Sequence, residues 1–452
     1  MLGLLQTVLI TVVTLGILVA VHEFGHFWVA RRCGIKVLRF SIGFGKPLLK
    51  WVDRHGTEFA VAGIPLGGYV KMLDEREGPV AEHELDQAFS QASPPKRIAI
   101  AAAGPLANFV LAIFVYWLVF LNGVNGVAPI IDQIEPGSLA EQAGLQVGQE
   151  ILAVDGESTP TWEALQLQLL ERIGEHGTLS FSVKPSAGGQ VETAQVSLDR
   201  WMHDVDEPNP LKELGVTLFV PKAEARVDEV MADGAAAAAG MQAGDLVLSV
   251  DGQAVDGWAD WVEVVRSNPG RELNMLIQRG DITLPMMFTP ARRVGDDGKA
   301  YGYAGVSAVM PEWPESMRRT MEYGPIGAIS AAADKTWKMS VFTVESIKKM
   351  LTGLLSPKNL SGPITIAKVA SSSAQYGLYA WLSFLALLSV SLAVLNLLPV
   401  PILDGGHIVY ALIEWGSGKP VTEKVQAMAN QVGLLLVVCL MVFALYNDVL
   451  RL

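Results

Sequence analysis

The sequence predicts a polytopic α-helical membrane protein: four transmembrane helices, two inserted β-rich modules and a membrane-associated β-hairpin. Three observations predict it. Half of the 452 residues are hydrophobic and only 18% are charged. The apolar residues are bunched into four stretches, each long enough to cross a bilayer, for which about 20 residues suffice. The long segment between the second and third stretches repeats itself in an ungapped register.

The first stretch, Met1 to Val21, carries no charge, and no Lys or Arg precedes Arg31. Without a basic leading region or a small-residue cleavage site before His22, it reads as a retained anchor rather than a removable signal. The second, Ile98 to Leu121, is uncharged. The third lies within the uncharged run Val369 to Leu403, at Leu378 to Leu398, and the fourth runs from about Val425 to Asn447. The loop after the first span is rich in Lys and Arg, with Arg31, Arg32, Lys96 and Arg97 at the membrane ends. The positive-inside bias therefore places it in the cytoplasm. Both termini and the segment from about Asn122 to Tyr376 then fall on the external side of the membrane, and Glu414 to Lys424 is a short cytoplasmic loop.

This topology divides the chain into five parts. Residues 1–121 hold two spans, the cytoplasmic loop and a re-entrant hairpin at about 53–75. Residues 122–221 and 222–309 hold the two repeats, 310–376 amphipathic connecting helices, and 377–452 the last two spans. Between Tyr323 and Leu355, charges such as Asp334, Lys335 and Lys338 interrupt the apolar residues. That pattern suits a helix lying on a membrane surface or on other domains better than a fifth span. The net charge of −12, concentrated in the middle segment, excludes nucleic acid as a partner. Cys33 and Cys439 are too far apart in sequence, and too few, for a disulfide framework or a metal cluster.

In the repeat, Gly144, Gly148, Val154, Asp155, Gly156 and Trp162 fall on Gly240, Gly244, Val250, Asp251, Gly252 and Trp258. Each copy reads as a strand, a short helix ended by Gly, a turn, a strand and an Asp-Gly hairpin turn. The shared pattern resembles bacterial PDZ domains, which bind extended peptide segments by adding a strand to a sheet edge. Simple gating of the membrane part is the alternative use of the same two modules.

The motif that carries chemistry is His22-Glu23-Phe24-Gly25-His26. Residues four apart share a helix face, so both imidazoles reach one ion, with Glu23 beside them as general base. The motif ends a span, where ionisable side chains are expensive and mark function. Zinc takes a third protein ligand and keeps a fourth position for water. Four of the seven histidines lie in soluble loops. The remaining one, His407, closes a second candidate stretch, Asn396-Leu-Leu-Pro-Val-Pro-Ile-Leu-Asp-Gly-Gly-His407. There Pro399 and Pro401 break an apolar helix and Asp404 follows in apolar surroundings. The first and third spans run in the same direction and both motifs end their spans, so Asp404 lies at the depth of His22 and His26. Asp404 is the preferred third ligand, and His407 is a rival that spacing leaves open.

The stretches from His22 to Gly34, Gly63 to Met72, Gly104 to Asn108 and Asn396 to His407 together resemble the site-2 protease family of intramembrane zinc metalloproteases. The resemblance covers nearly the whole chain and is loosest from about Asn122 to Tyr323. It implies that His22, His26 and Asp404 bind Zn2+, that Glu23 is the catalytic base and that Asn396 helps hold the substrate backbone. The segment Phe59 to Met72, too short and broken to span, reads as a β-hairpin dipping into the membrane. In the family such an element pairs with an unwound substrate, which singles out Gly67, Gly68 and Tyr69. The implied substrates are single-span membrane proteins, namely a pre-trimmed anti-sigma factor in envelope stress signalling and remnant signal peptides. The external modules would act there as a size filter. Two rival readings are a non-catalytic scaffold recruiting partners through its PDZ-like modules, and a metal transporter. The transporter would need polar residues along several spans, and the second and fourth offer little beyond Asn108, Asn430 and Gln431.

Overall fold

The computed structural model describes residues 2–76, 78–185, 188–295 and 298–451, so Met1, where the first span was drawn, lies outside the described residues. Helix α1, Leu2–Arg32, is continuous through the His-Glu motif. At 1.5 Å per residue, His22 sits roughly 30 Å from its start, about one hydrocarbon thickness. Helix α2, Pro94–Leu121, opens with prolines in its first turn, where no intrahelical N–H is needed. Helices α3, Trp162–Glu171, and α4, Trp258–Ser267, belong to the repeats. The C-terminal part comprises α5, Pro325–Leu351; α6, Pro363–Gln375; α7, Leu378–Leu397; α8, Asp404–Ser417; and α9, Glu423–Leu450. Helices α1, α2, α7 and α9 are long and apolar enough to cross a membrane. Leu18, Ala112, Val115, Leu385 and Val390 form the buried seam among α1, α2 and α7.

Helix α5 packs its Ala332 and Met339 into that same seam. Its charges turn to the first repeat: Lys335 pairs with Glu163 at 2.8 Å and Lys349 with Glu175 at 2.8 Å. It therefore braces the first repeat against α2 and α7. Helix α8 occupies residues placed between the third span and a cytoplasmic loop from Glu414. The loop itself is shorter than predicted, because α8 continues to Ser417 before Gly418 ends it in a left-handed conformation.

Two strands, β1 (Val37–Val52) and β2 (Glu58–Met72), follow α1. They correct the reading of Phe59 to Met72 as one hairpin. Phe40 pairs with both Phe59 and Val70, and Ile42 with both Val61 and Gly68. The first half of β1 thus lies between the two halves of β2, and the second half of β1, Pro47 to Val52, pairs outside Glu58 to Ala62. The physical reason is reach: the two halves of β2 cannot pair with each other while the strand from Arg39 to Ile42 sits between them. Phe27 of α1 stacks edge-on against Phe40 and Phe59, which fixes this curled sheet to the helix that carries the histidines.

Each repeat folds around its own apolar cluster, one centred on Ile151, Leu165 and Phe181, the other on Val247, Trp261 and Ile277. Asp155 and Asp251 adopt φ of 50° and 48°, followed by Gly156 and Gly252 at 86° and 80°. These are two-residue hairpin turns with both central residues left-handed. Gln149 and Asp245 occupy equivalent buried positions and accept the backbone N–H of Gln146 and Gln242, both at 2.9 Å. The strand leaving α2, Val124–Val127, pairs antiparallel with Arg318–Met321, so the chain enters and leaves the segment that holds the repeats through one ribbon.

Candidate metal centre

Helix α1 presents His22 and His26 on the face turned to α2, and both are buried. The close approach depends on two glycines. A Cβ on Gly25 would lie 2.3 Å from the Ala103 carbonyl oxygen, and one on Gly104 would lie 2.2 Å from His26 Nε2. Any larger residue at either position would push the helices apart. His26 Nδ1 lies 2.8 Å from the Ile100 carbonyl oxygen. Pro105 cannot donate to Ala101, so the helical ladder is interrupted beside the carbonyl that His26 uses. His22 Nδ1 lies 3.2 Å from the Asn108 side chain.

Asp404 arrives from the other end of the chain. α7 stops at Leu397, and the connection to α8 turns sharply, with Ile402 at φ +93°. A β-branched residue in that region is strained, and the surroundings must hold it there. Three glycines supply the hold: a Cβ would meet the Leu398 oxygen at 2.2 Å from Gly405, the Val400 oxygen at 2.5 Å from Gly406 and the Pro401 oxygen at 1.9 Å from Gly433 of α9. The connection is thereby wedged between α8 and α9. Beyond the cluster, Arg97 of α2 pairs with Glu414 of α8 at 2.5 Å.

The result is that Asp404 Oδ2 lies 3.2 Å from His22 Nε2 and Asp404 Oδ1 lies 3.4 Å from His26 Nε2. The two Nε2 atoms are 3.2 Å apart. All three ligand atoms fall within 4.8 Å of one another. Asp404 Oδ2 is buried and makes no hydrogen bond. Two imidazole nitrogens converging on a carboxylate oxygen without a hydrogen bond form a donor set for a cation. Two N donors and one O donor suit zinc with an open fourth position. His407 stands outside this cluster, packing edge-on against Tyr410 with ring centroids 6.3 Å apart. It lines a cavity of about 240 Å³ with Asp74, Arg76, Arg97 and Gln426, one helical turn from Asp404.

Glu23 points along α1 toward β2, where a Cβ on Gly68 would lie 2.9 Å from its Cγ. Gly67, at φ +148°, lies under the Phe44 ring, which stacks on Tyr69 at 6.2 Å. Asn396, half-buried in the last turn of α7, makes no side-chain hydrogen bond to the described residues. Sequence reasoning passed over Asn108 as a lone polar residue. Its signal was a fully buried amide in an otherwise apolar span, in a position where it needs a partner.

A model of peptidase family M50 matches residues 10–440 of the chain. The regulator of sigma-E protease RseP of Salmonella typhimurium is 47% identical over 452 residues, the full length of both chains. The Escherichia coli K12 protein of that name is 45% identical over 441 residues, 98% of each chain. A Vibrio cholerae protein whose name includes "zinc metalloprotease" is 43% identical over 442 residues, 98% of each chain. Among solved structures, the PDZ domain of an SdrC-like protein from Listeria monocytogenes aligns with 20% of this chain and 94% of its own, at 22% identity and a TM-score of 0.17.

Proposed function

This chain belongs to peptidase family M50, and from its helix-borne cluster we propose that His22, His26 and Asp404 hold the zinc ion and that Glu23 is the base of peptide hydrolysis. The protein is a zinc metalloendopeptidase with four helices able to span the inner membrane. The observation that carries the residue assignment is the meeting of two α1 imidazoles and the α8 carboxylate within 4.8 Å.

Bound zinc polarises a scissile carbonyl and lowers the pKa of water to about 7. Glu23 is the remaining carboxylate at the site. It makes no hydrogen bond to the described residues, so it is free to take a proton from water and pass it to the leaving amine. Water must reach a membrane-embedded peptide bond, and the polar-lined cavity beside His407 offers a route from the cytoplasmic side. A substrate helix has its backbone bonds satisfied internally and must unwind to be cut. Among the described residues, the half of β2 holding Gly68, Tyr69 and Val70 pairs on one edge with the start of β1 and has no strand on its other edge, and Gly68 lies within contact of Glu23. An extended substrate adding to that edge at Gly67, Gly68 and Tyr69 would carry its backbone past the base. Asn396 is placed to hold the same backbone from α7.

Substrates are single-span membrane proteins, with a pre-trimmed anti-sigma factor and remnant signal peptides as the two classes. The two external modules act as PDZ-like domains that restrict access to trimmed substrates. Removing Gly126 to Val309 is expected to permit cleavage of untrimmed substrate, and unchanged dependence on trimming would remove the filter. The catalytic assignment is tested by incubating purified wild type and Glu23→Gln with a model transmembrane substrate while measuring metal on both. Cleavage by wild type alone, with equal zinc in the two proteins, is the expected result. A Glu23→Gln variant that still cuts would return the reading to a scaffold with incidental metal.

A further inference from the structure

We propose that Asn108 is a positioning residue that sets the tautomer of His22, accepting the His22 Nδ1 proton through Oδ1 so that Nε2 keeps a lone pair for the metal. The inference rests on His22 being a zinc ligand. It adds the source of that ligand's orientation.

A neutral imidazole carries one proton shared between two nitrogens, and only the bare nitrogen binds metal. For His26 the matter is decided by the backbone. Its Nδ1 faces the Ile100 carbonyl oxygen at 2.8 Å, and a carbonyl only accepts. The proton therefore sits on Nδ1, and Nε2 faces Asp404 bare. His22 has no carbonyl in that position. Its Nδ1 faces the Asn108 carboxamide, with Nδ2 at 3.2 Å. In that orientation the amide donates to Nδ1, and the His22 proton is left on Nε2, the atom 3.2 Å from both His26 Nε2 and Asp404 Oδ2. A protonated Nε2 has nothing to offer a cation. The same side chain holds the remedy. Asn108 Oδ1 is a buried acceptor without a partner, on a residue with no exposed surface. A half-turn of the amide keeps its shape, brings Oδ1 to Nδ1–H and frees Nε2. Metal-ligating histidines depend on such acceptors for both tautomer and ring orientation.

The placement of Asn108 reinforces the role. Both acceptors come from α2, at Ile100 and Asn108, two helical turns apart. The Asn108 carbonyl oxygen also accepts from Ser389 Oγ of α7 at 2.8 Å. One residue thus ties the His22 ring to the helix that leads to Asp404.

The test uses the full-length protein in detergent, with zinc affinity measured by chelator competition and the visible spectrum of the cobalt-substituted form. Two variants are compared with wild type. Asn108→Leu keeps the branching at Cγ and removes the acceptor, and Asn108→Asp keeps an acceptor and removes the amide donor. The main-chain bond to Ser389 survives in both. Asn108→Leu is expected to weaken zinc binding about 10–100-fold and to shift the cobalt spectrum, and Asn108→Asp to bind within about threefold of wild type. Wild-type affinity in Asn108→Leu would overturn the role. So would an Asn108→Asp variant that binds weakly, since the amide N–H would then be the group that matters. Should Asn108→Leu fail to fold, Asn108→Asp decides alone on the same criterion. Wild-type protein that binds no zinc would overturn the metal reading itself.

Discussion

Replacing Gly104 by alanine perturbs the proposed metal centre with a single methyl group. The added Cβ would lie 2.2 Å from His26 Nε2, 2.7 Å from its Cε1 and 2.8 Å from His22 Cε1. Real Cβ contacts do not fall below 3.0 Å, so the His26 ring must retreat by most of an ångström or α2 must move away from α1. Overpacking of a filled site costs about 1–3 kcal/mol, which leaves the protein folded. Displacement of a ligating group by about 1 Å costs on the order of 10²-fold in rate. Gly104→Ala should therefore insert and fold, bind zinc more weakly than wild type, and cleave a model transmembrane substrate about 100-fold more slowly. Gly16→Ala, in the same membrane region but with nothing within 4 Å of its Cβ, is the control and should match wild type. The assay pairs chelator competition with the cleavage rate of purified protein. If Gly104→Ala keeps zinc affinity and turnover within about twofold of wild type, the tight α1–α2 approach is not what places the ligands.

Glu23→Gln removes the proposed base and leaves the proposed ligands, so cleavage should fall by about 10²–10⁴-fold with zinc content unchanged, as metal analysis beside a cleavage assay would show. In the second repeat, burial pushes the Asp245 carboxyl up, but the Arg279 guanidinium at 2.8 Å and the Gln242 N–H outweigh it and hold it below the ordinary aspartate range. A lowered pKa in the folded state contributes stability that is present above the unfolded value and lost as pH falls through the folded one. Hydrogen-exchange protection of Leu246–Val250 should therefore be full at neutral pH and decline below about pH 4. Asp245→Ala should reduce that protection at neutral pH by about 1–3 kcal/mol, because Arg279 loses its carboxylate partner and keeps the Gly240 carbonyl oxygen, while the Gln242 N–H loses its acceptor. Equal protection in the variant would show that the pair contributes nothing to the module.

The parts of the fold that were legible in the sequence are those with short-range signals. Uncharged runs marked α1, α2, α7 and α9, because a bilayer accepts little else. The His22 to His26 spacing placed the two imidazoles on one face without any tertiary information. The repeat was legible because left-handed turns at Asp155-Gly156 and Asp251-Gly252 demand the same residues twice. What stayed hidden depends on long-range approach. The curled sheet was misread because Gly43, Gly45 and Pro47 break the alternation of β1, and nothing local shows that Phe40 serves two partners. Helix α8 was hidden behind Gly405 and Gly406. These read as turn residues, yet they sit in a helix, and glycine is required there because the Leu398 and Val400 oxygens leave no room for a Cβ. His407 could not be ranked against Asp404 by spacing, since both lie on one helical face and only the packing of α8 against α2 turns the carboxylate inward. Asn108 was visible as a residue but not as a partner, because its meaning lies across α1.

Locating the metal by anomalous diffraction at the zinc edge, on crystals of the zinc-loaded full-length protein, tests the central claim most directly. The expected result is a single ion coordinated by Nε2 of His22, Nε2 of His26 and the carboxylate of Asp404, with Glu23 outside the coordination sphere. An ion bound elsewhere, or one held by His407 in place of Asp404, would contradict it.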